Sequence, residues 1–311
     1  MSSQATVLGQ PVRHWAPYDR IARSLVGRNA VLRRVLLAGF VSSCGDRLHQ
    51  VALAALVLGM TDSMASAGLV FVVSTLPYAL FGLPIGAFVD RWDRLTAMIA
   101  SDLIRGVVVL AVPVAAFVNL PLVYPLLFGL TCATMIFQPA RQAAIPDIVG
   151  ADDLPAANIL FQAVNYLVDI VALPVAGLLV VFCTLQLGLQ RGAVALFSLD
   201  ALSYLVSAGL LLGVPRRPSL RQESDTAAVP FASQIMEGLR FLRTNPALRT
   251  NTLLLTLGPL LLGSLHTLWI GFAWRVSNTQ TVGYAVVETA NAVGTLLGLW
   301  LLPQMLARVA P

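Results

Sequence analysis

The feature that most constrains this chain is a series of eight apolar stretches, each long enough for a helix to cross a bilayer. A spanning helix needs about 20 predominantly apolar residues. The stretches run over Arg34–Met60, Ser66–Val89, Ala97–Val118, Leu120–Phe137, Asn158–Phe182, Ala193–Val214, Thr252–Trp274 and Thr281–Pro303. Only 11% of the residues are charged and 57% are hydrophobic, whereas a soluble domain carries about 25% charge. Lipid offers the backbone no hydrogen-bond partner, so a chain of this kind spans as helices or as a closed barrel. Continuous runs of this length read as helices, and the expected fold class is an all-α integral membrane bundle. A soluble dinucleotide-binding enzyme, a disulfide scaffold and a disordered chain are excluded. Cys44, Cys132 and Cys183 fall inside apolar runs without metal-ligand spacing and read as small apolar fillers.

Charge placement sets the expected topology. All 20 basic residues are arginine. Sixteen fall on one side of the eight spans: the N-terminal arm, the loop with Arg91 and Arg94, a loop with Arg141, the long connector, and Arg308. Arg191 and Arg275 fall on the other side, and Arg47 and Arg105 lie within spans. This bias places both termini in the cytoplasm of a cell-membrane protein. No early apolar run ends at a cleavage site, so the first stretch reads as a retained span and not as a signal peptide. The expected organisation is a basic arm at 1–33, six helices at 34–214, a cytoplasmic connector at 215–250 and two helices within 251–311. Phe231, Ile235, Leu239 and Leu242 recur at helical spacing in the connector, which reads as an amphipathic helix on the membrane face. The basic arm lacks nucleic-acid motifs and suits anionic lipid. No phosphate-binding glycine loop and no nucleophile or metal constellation is present, so neither an enzyme nor a cofactor is expected.

Between the second and third spans stands Gly86-Ala-Phe-Val-Asp90-Arg91-Trp-Asp93-Arg94. Gly86 permits close helix approach, and two carboxylates on the positive-inside face call for a reason. This loop resembles the signature loop of the major facilitator superfamily. Four further motifs are similar to the branch containing macrolide and siderophore exporters. They are Ser101-Asp102-Leu-Ile-Arg105-Gly106, Gln138-Pro139-Ala140-Arg141, Leu154-Pro-Ala-Ala157-Asn158 and Glu237-Gly238-Leu-Arg240-Phe241. The resemblance implies a six-helix half followed by a partial second half of two helices, against twelve helices in the family. It implies secondary active efflux of a small amphipathic molecule by alternating access, with Asp90 latching a gate against a helix N-terminus. Arg91, Asp93 and Arg94 would belong to that gate, with Asp102 and Arg105 supporting it. Two departures stand out. The helix-5 signature reads Leu173-Pro174-Val175-Ala176-Gly177, and the fourth span carries no mid-membrane arginine. The shortened chain leaves a second reading open: a transport-incompetent relative acting as a partner or regulator.

Polar residues inside spans are costly and are functional hypotheses by default. In span 1, Asp46, Arg47, His49 and Gln50 stand together, with Asp46 on the face of Ser42 and His49. In span 5, Gln162, Asn165, Tyr166 and Asp169 form one polar face at helical spacing. In span 8, Glu288 and Asn291 begin a similar face. Each stripe reads either as the wall of a water-filled cavity or as a dry inter-helix cluster. Asp46 and Asp169 are the candidate proton carriers. Asp169 ranks first, because Arg47 adjoins Asp46 while no basic residue lies within a turn of Asp169 on its own helix. Asp200 reads as a structural helix-to-helix hydrogen bond. The expected partners are a small-molecule substrate, protons and the bilayer, with no nucleic acid.

Overall fold

The computed structural model describes residues 25–89, 92–150, 152–215 and 240–254, with single positions at 236, 257, 290, 294 and 297. The expected spans at Thr252–Trp274 and Thr281–Pro303 lie almost wholly outside the described residues, as do Phe231, Ile235 and Leu239 of the connector.

Three helices follow the apolar stretches closely: α1 (Ala30–Thr61), α2 (Met64–Val89) and α3 (Arg94–Val118). Asn29 starts α1. Its side-chain oxygen accepts from the backbone N–H of Val31 (3.1 Å) and Leu32 (3.0 Å), satisfying two orphan donors of the first turn. Its amide nitrogen donates to the Ile148 carbonyl at 2.9 Å, tying the start of α1 to a distant helix end. Asp62 closes α1 in the left-handed conformation (φ 48°).

The fourth helix corrects the expected boundary. After a 3-10 turn at Leu120–Leu122, α4 runs over Val123–Val149, well past the expected end at Phe137. Pro139 and Pro146 lie inside it. Proline normally breaks a helix, but in a membrane bundle neighbouring groups re-satisfy the freed backbone and the helix continues. Arg141 is therefore a residue of α4, only 4% exposed, and not a loop arginine. The arginine count for that side loses one loop member, and Arg141 stands in the part of α4 beyond the expected span.

The next helix, Leu154–Leu212, is broken at Gly188 (φ 75°, ψ 168°). We call its parts α5 (154–187) and α6 (189–212). The ten-residue loop expected around Arg191 is absent; one glycine reverses the chain. The ideal Cβ position of Gly192 lies 2.9 Å from the Cys183 carbonyl, so the two arms run side by side at once. The Gly188 conformation is essentially confined to glycine. Gly188→Ala should cost about 1 kcal/mol, the low end for such strain because the turn is exposed. A lowered thermal midpoint of the detergent-purified protein would register it, and an unchanged midpoint would contradict it.

The described bundle contains two apolar cores. One gathers Val51, Leu56, Val112, Leu127, Val180 and Phe197; the other gathers Leu32, Val35, Met98, Phe137, Phe161 and Leu211. Set among these cores on α1, α3 and α6 are polar side chains: Ser42, Asp46 and His49; Asp102 and Arg105; Asp200, Tyr204 and Ser207. By length and hydropathy, Arg94–Val118, Leu120–Val149 and Leu154–Leu212 each suffice to cross a membrane.

Candidate functional site

The polar layer is organised around Arg105, 1% exposed. Its guanidinium lies between two rings, 4.7 Å from the Phe137 centroid and 4.4 Å from that of Tyr204. It donates to Asp46 (3.2 Å), to Ser42 (3.0 Å) and to Asp102. Asp102, fully buried, also accepts from the Ser207 hydroxyl at 2.7 Å. The i, i+3 pairing of Asp102 with Arg105 follows from helical spacing. The rest of the network crosses between helices: Arg105 to α1 and Ser207 of α6 to Asp102.

Beside this network lies a cavity of about 440 Å³ between α1, α2, α4 and α5. Asp46, Arg47, His49 and Gln50 line it from α1, Tyr78 from α2, Gln138 from α4, and Asn165 and Asp169 from α5. The two halves of the expected stripes thus meet around one space. Gln162 is exposed and Tyr166 half-buried, and neither is at the cavity wall, so only half of the α5 face turns inward.

Each of the two candidate acids has a cation from another helix. Asp169 is bridged by Arg47 at 2.7 Å, a residue of another helix. Asp46 is held by Arg105 and by the Tyr204 hydroxyl, which donates to it at 2.6 Å. Counting neighbours along one helix gave Asp169 no cation and gave Asp46 the wrong one. Arg47 also donates to Gln50 at 3.1 Å. Asp200, fully buried on α6, meets His49 Nδ1 at 3.0 Å and accepts from Ser203 at 3.4 Å. Asp200 thus makes a helix-to-helix contact, as its sequence position suggested, and its partner is a histidine.

At one end of the bundle, Asp93 has a local task. Its carboxylate caps α3, accepting from the Thr96 backbone N–H (2.8 Å) and hydroxyl (2.6 Å). Arg94 reaches Asp147 and the Ala143 carbonyl on α4, so it ties two helices of the same bundle together. Asp102 and Arg105 belong to the buried layer, well inside α3. Gly86 is in the last turn of α2. Asp90, Arg91, Glu288 and Asn291 lie outside the described residues.

Comparison with known proteins adds the lineage. A family model described as transmembrane secretion effector matches residues 25–309. Macrolide efflux protein A of Streptococcus pyogenes is 28% identical over 250 residues, covering 78% of this chain and 60% of that protein. A protein of the same name from Enterococcus faecalis is 29% identical over 226 residues, covering 72% of this chain and 67% of that one. The multidrug efflux pump Tap of Mycolicibacterium fortuitum is 33% identical over 232 residues, covering 70% of this chain and 53% of that one. The chain therefore spans between about half and two thirds of the length of these curated relatives. No solved structure matches it. The helical bundle, the motifs and a family match over most of the sequence agree: this is an all-helical, multi-pass membrane protein that belongs to the transmembrane secretion effector family of the major facilitator superfamily.

Proposed function

We propose that the chain takes part in efflux of a small amphipathic cation, exchanged for protons by alternating access around the cavity between α1, α2, α4 and α5. The observation that carries this reading is the cavity itself. Its 440 Å³ is within the range that holds a drug-sized ligand, and its wall combines carboxylates with Phe71, Tyr78 and apolar side chains. The relatives' names, macrolide efflux protein and multidrug efflux pump, point the same way. Asp46 attracts the cation, and the Arg47–Asp169 pair joins the α1 and α5 walls. Asp90 acts apart from the ligand as a latch on the gate loop. The chain divides into an arm at 1–33, a six-helix half at 34–214, a connector at 215–250 and the second-half segment at 251–311.

The test uses the purified full chain in liposomes with ethidium as the transported probe. Ethidium flux should rise with an imposed pH gradient and fall to the protein-free baseline when the gradient is collapsed. Binding without flux would make the chain a binding partner or regulator and would overturn transport. Topology is tested separately, in a background with the three native cysteines removed. Cysteines placed at Asp62 and Asn119 should react with an impermeant reagent from outside the cell. Those at Gly150 and Ser224 should react only after permeabilisation. Outside labelling at Ser224 would reverse the orientation.

A further inference from the structure

The interior charges of the described spans do not cancel. Four carboxylates (Asp46, Asp102, Asp169 and Asp200) face three guanidiniums (Arg47, Arg105 and Arg141). Three of the four acids have an arginine within ion-pair distance: Asp169 has Arg47, while Asp46 and Asp102 share Arg105. An arginine does not give up its proton in a protein. Asp200 differs. Its ionic partner is His49, and an imidazole can carry or release a proton near neutral pH. Its Oδ2 meets the imidazole nitrogen and finds no hydroxyl or backbone donor among the described residues.

Two states of this pair are chemically sensible. With one proton added, the pair is imidazolium against carboxylate, or imidazole against carboxylic acid. The four acids are then balanced by four positive charges, or reduced to three against three arginines. With that proton gone, a neutral imidazole still donates from Nδ1 to the carboxylate, and the interior carries one uncompensated negative charge. Lipid and apolar cores penalise such a charge heavily unless a cation comes close. His49 and Asp46 both line the cavity, so a cation bound there sits against the cluster that has just lost its proton. The pair is also linked to Asp46 at the cavity wall. The Tyr204 hydroxyl is 3.5 Å from His49 Nδ1 and 2.6 Å from Asp46, whose side chain is 25% exposed.

We infer that the His49–Asp200 pair, with His49 at the cavity wall and Asp200 buried behind it, is the proton-loading site, and that the single proton it holds is what a monovalent cation in the cavity replaces. The inference rests on the exchange reading above and makes it specific, since it moves the exchanged proton off Asp46 and Asp169 and fixes one proton per cation. The pair is faced by Asp46 from α1, Arg105 from α3 and Tyr204 from α6; Arg47, Tyr78 and Asp169 line the same cavity as His49, while Asp102 acts through Arg105 and Arg141 through Asp46. The tyrosines stay neutral across the working range, and the arginines stay charged.

Proton release on ethidium binding is the decisive measurement, made with the detergent-purified chain in weakly buffered solution containing a pH indicator. About one proton should leave per ethidium bound near neutral pH. His49→Gln, still eluting as a single species, keeps the extra negative charge and should bind ethidium while releasing almost no proton; Asp200→Asn, which removes that charge, should bind it more weakly and also release almost none. Release per bound ethidium that persists in both variants, or that disappears in an Asp46→Asn or Asp169→Asn variant still binding ethidium, would overturn the assignment while leaving proton exchange standing. If the parent binds no ethidium, the exchange reading fails and the site is tested directly. The chain has three histidines, and in nitrogen-labelled protein the His49 resonance is the one missing from His49→Gln. It should titrate between about pH 5 and 9, with a midpoint that moves in Asp200→Asn. A His49 resonance unmoved across that range would refute the proton site.

Discussion

Arg105→Met is expected to be the most damaging single substitution in the described bundle. The arginine is buried to 1% exposure, and it is the shared cationic partner of Asp46 and Asp102. Methionine fills much of the space and still touches Phe137 and Tyr204, so packing alone changes little. What changes is that Asp102, fully buried, keeps Ser42 and Ser207 beside it but loses its counter-charge. Removing one partner of a buried pair costs about 3–5 kcal/mol. The detergent-purified variant should show a sharp fall in thermal midpoint and in yield. Arg105→Lys should recover little. An ammonium lacks the planar fork that reaches Ser42, Asp46 and Asp102 together, and it stacks poorly between two rings. Adding Asp102→Asn to Arg105→Met should recover more, because the amide is neutral and still accepts from Ser207. A thermal midpoint for Arg105→Met equal to that of the parent would mean that the layer is not held by charge.

Gly45→Ala should be nearly as harmful, although it adds one methyl group. Gly45 is buried on α1 where α6 passes closest. A Cβ there would stand 3.0 Å from the Ser203 Cβ and well inside contact distance of the Ser203 hydroxyl and the Asp200 carboxylate. Both side chains are short, so they cannot swing clear without moving α6. Overpacking of this kind costs about 1–3 kcal/mol, and the upper end is expected because Asp200 would also leave His49. Gly209→Ala is the matched control, since nothing lies within 4 Å of a Cβ at that position. A drop in thermal midpoint confined to Gly45→Ala supports close α1–α6 contact; equal behaviour of the two variants would refute it.

How much of this was visible in the sequence follows from the range of the forces involved. Lipid dictates long apolar helices whatever their neighbours, so α1, α2 and α3 were placed to within a few residues. The end of α4 was misplaced because Pro139 is a stop signal only where nothing nearby repairs the broken ladder. The polar stripes were recognisable because lipid cannot satisfy them, and Asp46, Arg47, His49, Asn165 and Asp169 do share a cavity. Their partners were not recognisable. Arg105 is 59 residues from Asp46, and Tyr204 is 158 residues from it. Helical spacing predicted Asp102 with Arg105 because that pair lies within one turn. Gly45 gave no signal at all: its importance lies wholly in how near another helix comes.

The helices are not equally fastened. Side-chain hydrogen bonds or ion pairs link α1 with α3, α4, α5 and α6, and α3 with α4 and α6. The described residues of α2 make no such bond to another helix; Thr75 bonds back to its own carbonyl at Phe71. Much of α2 is exposed, including Leu69, Val72, Leu76 and Leu80. In hydrocarbon, apolar contact between helices is exchanged for apolar contact with lipid at little cost. The bundle is therefore mechanically a riveted frame of five helices with a sixth that is greased in place. A sliding displacement of α2 breaks none of these side-chain bonds and shifts the Phe71 and Tyr78 side of the cavity.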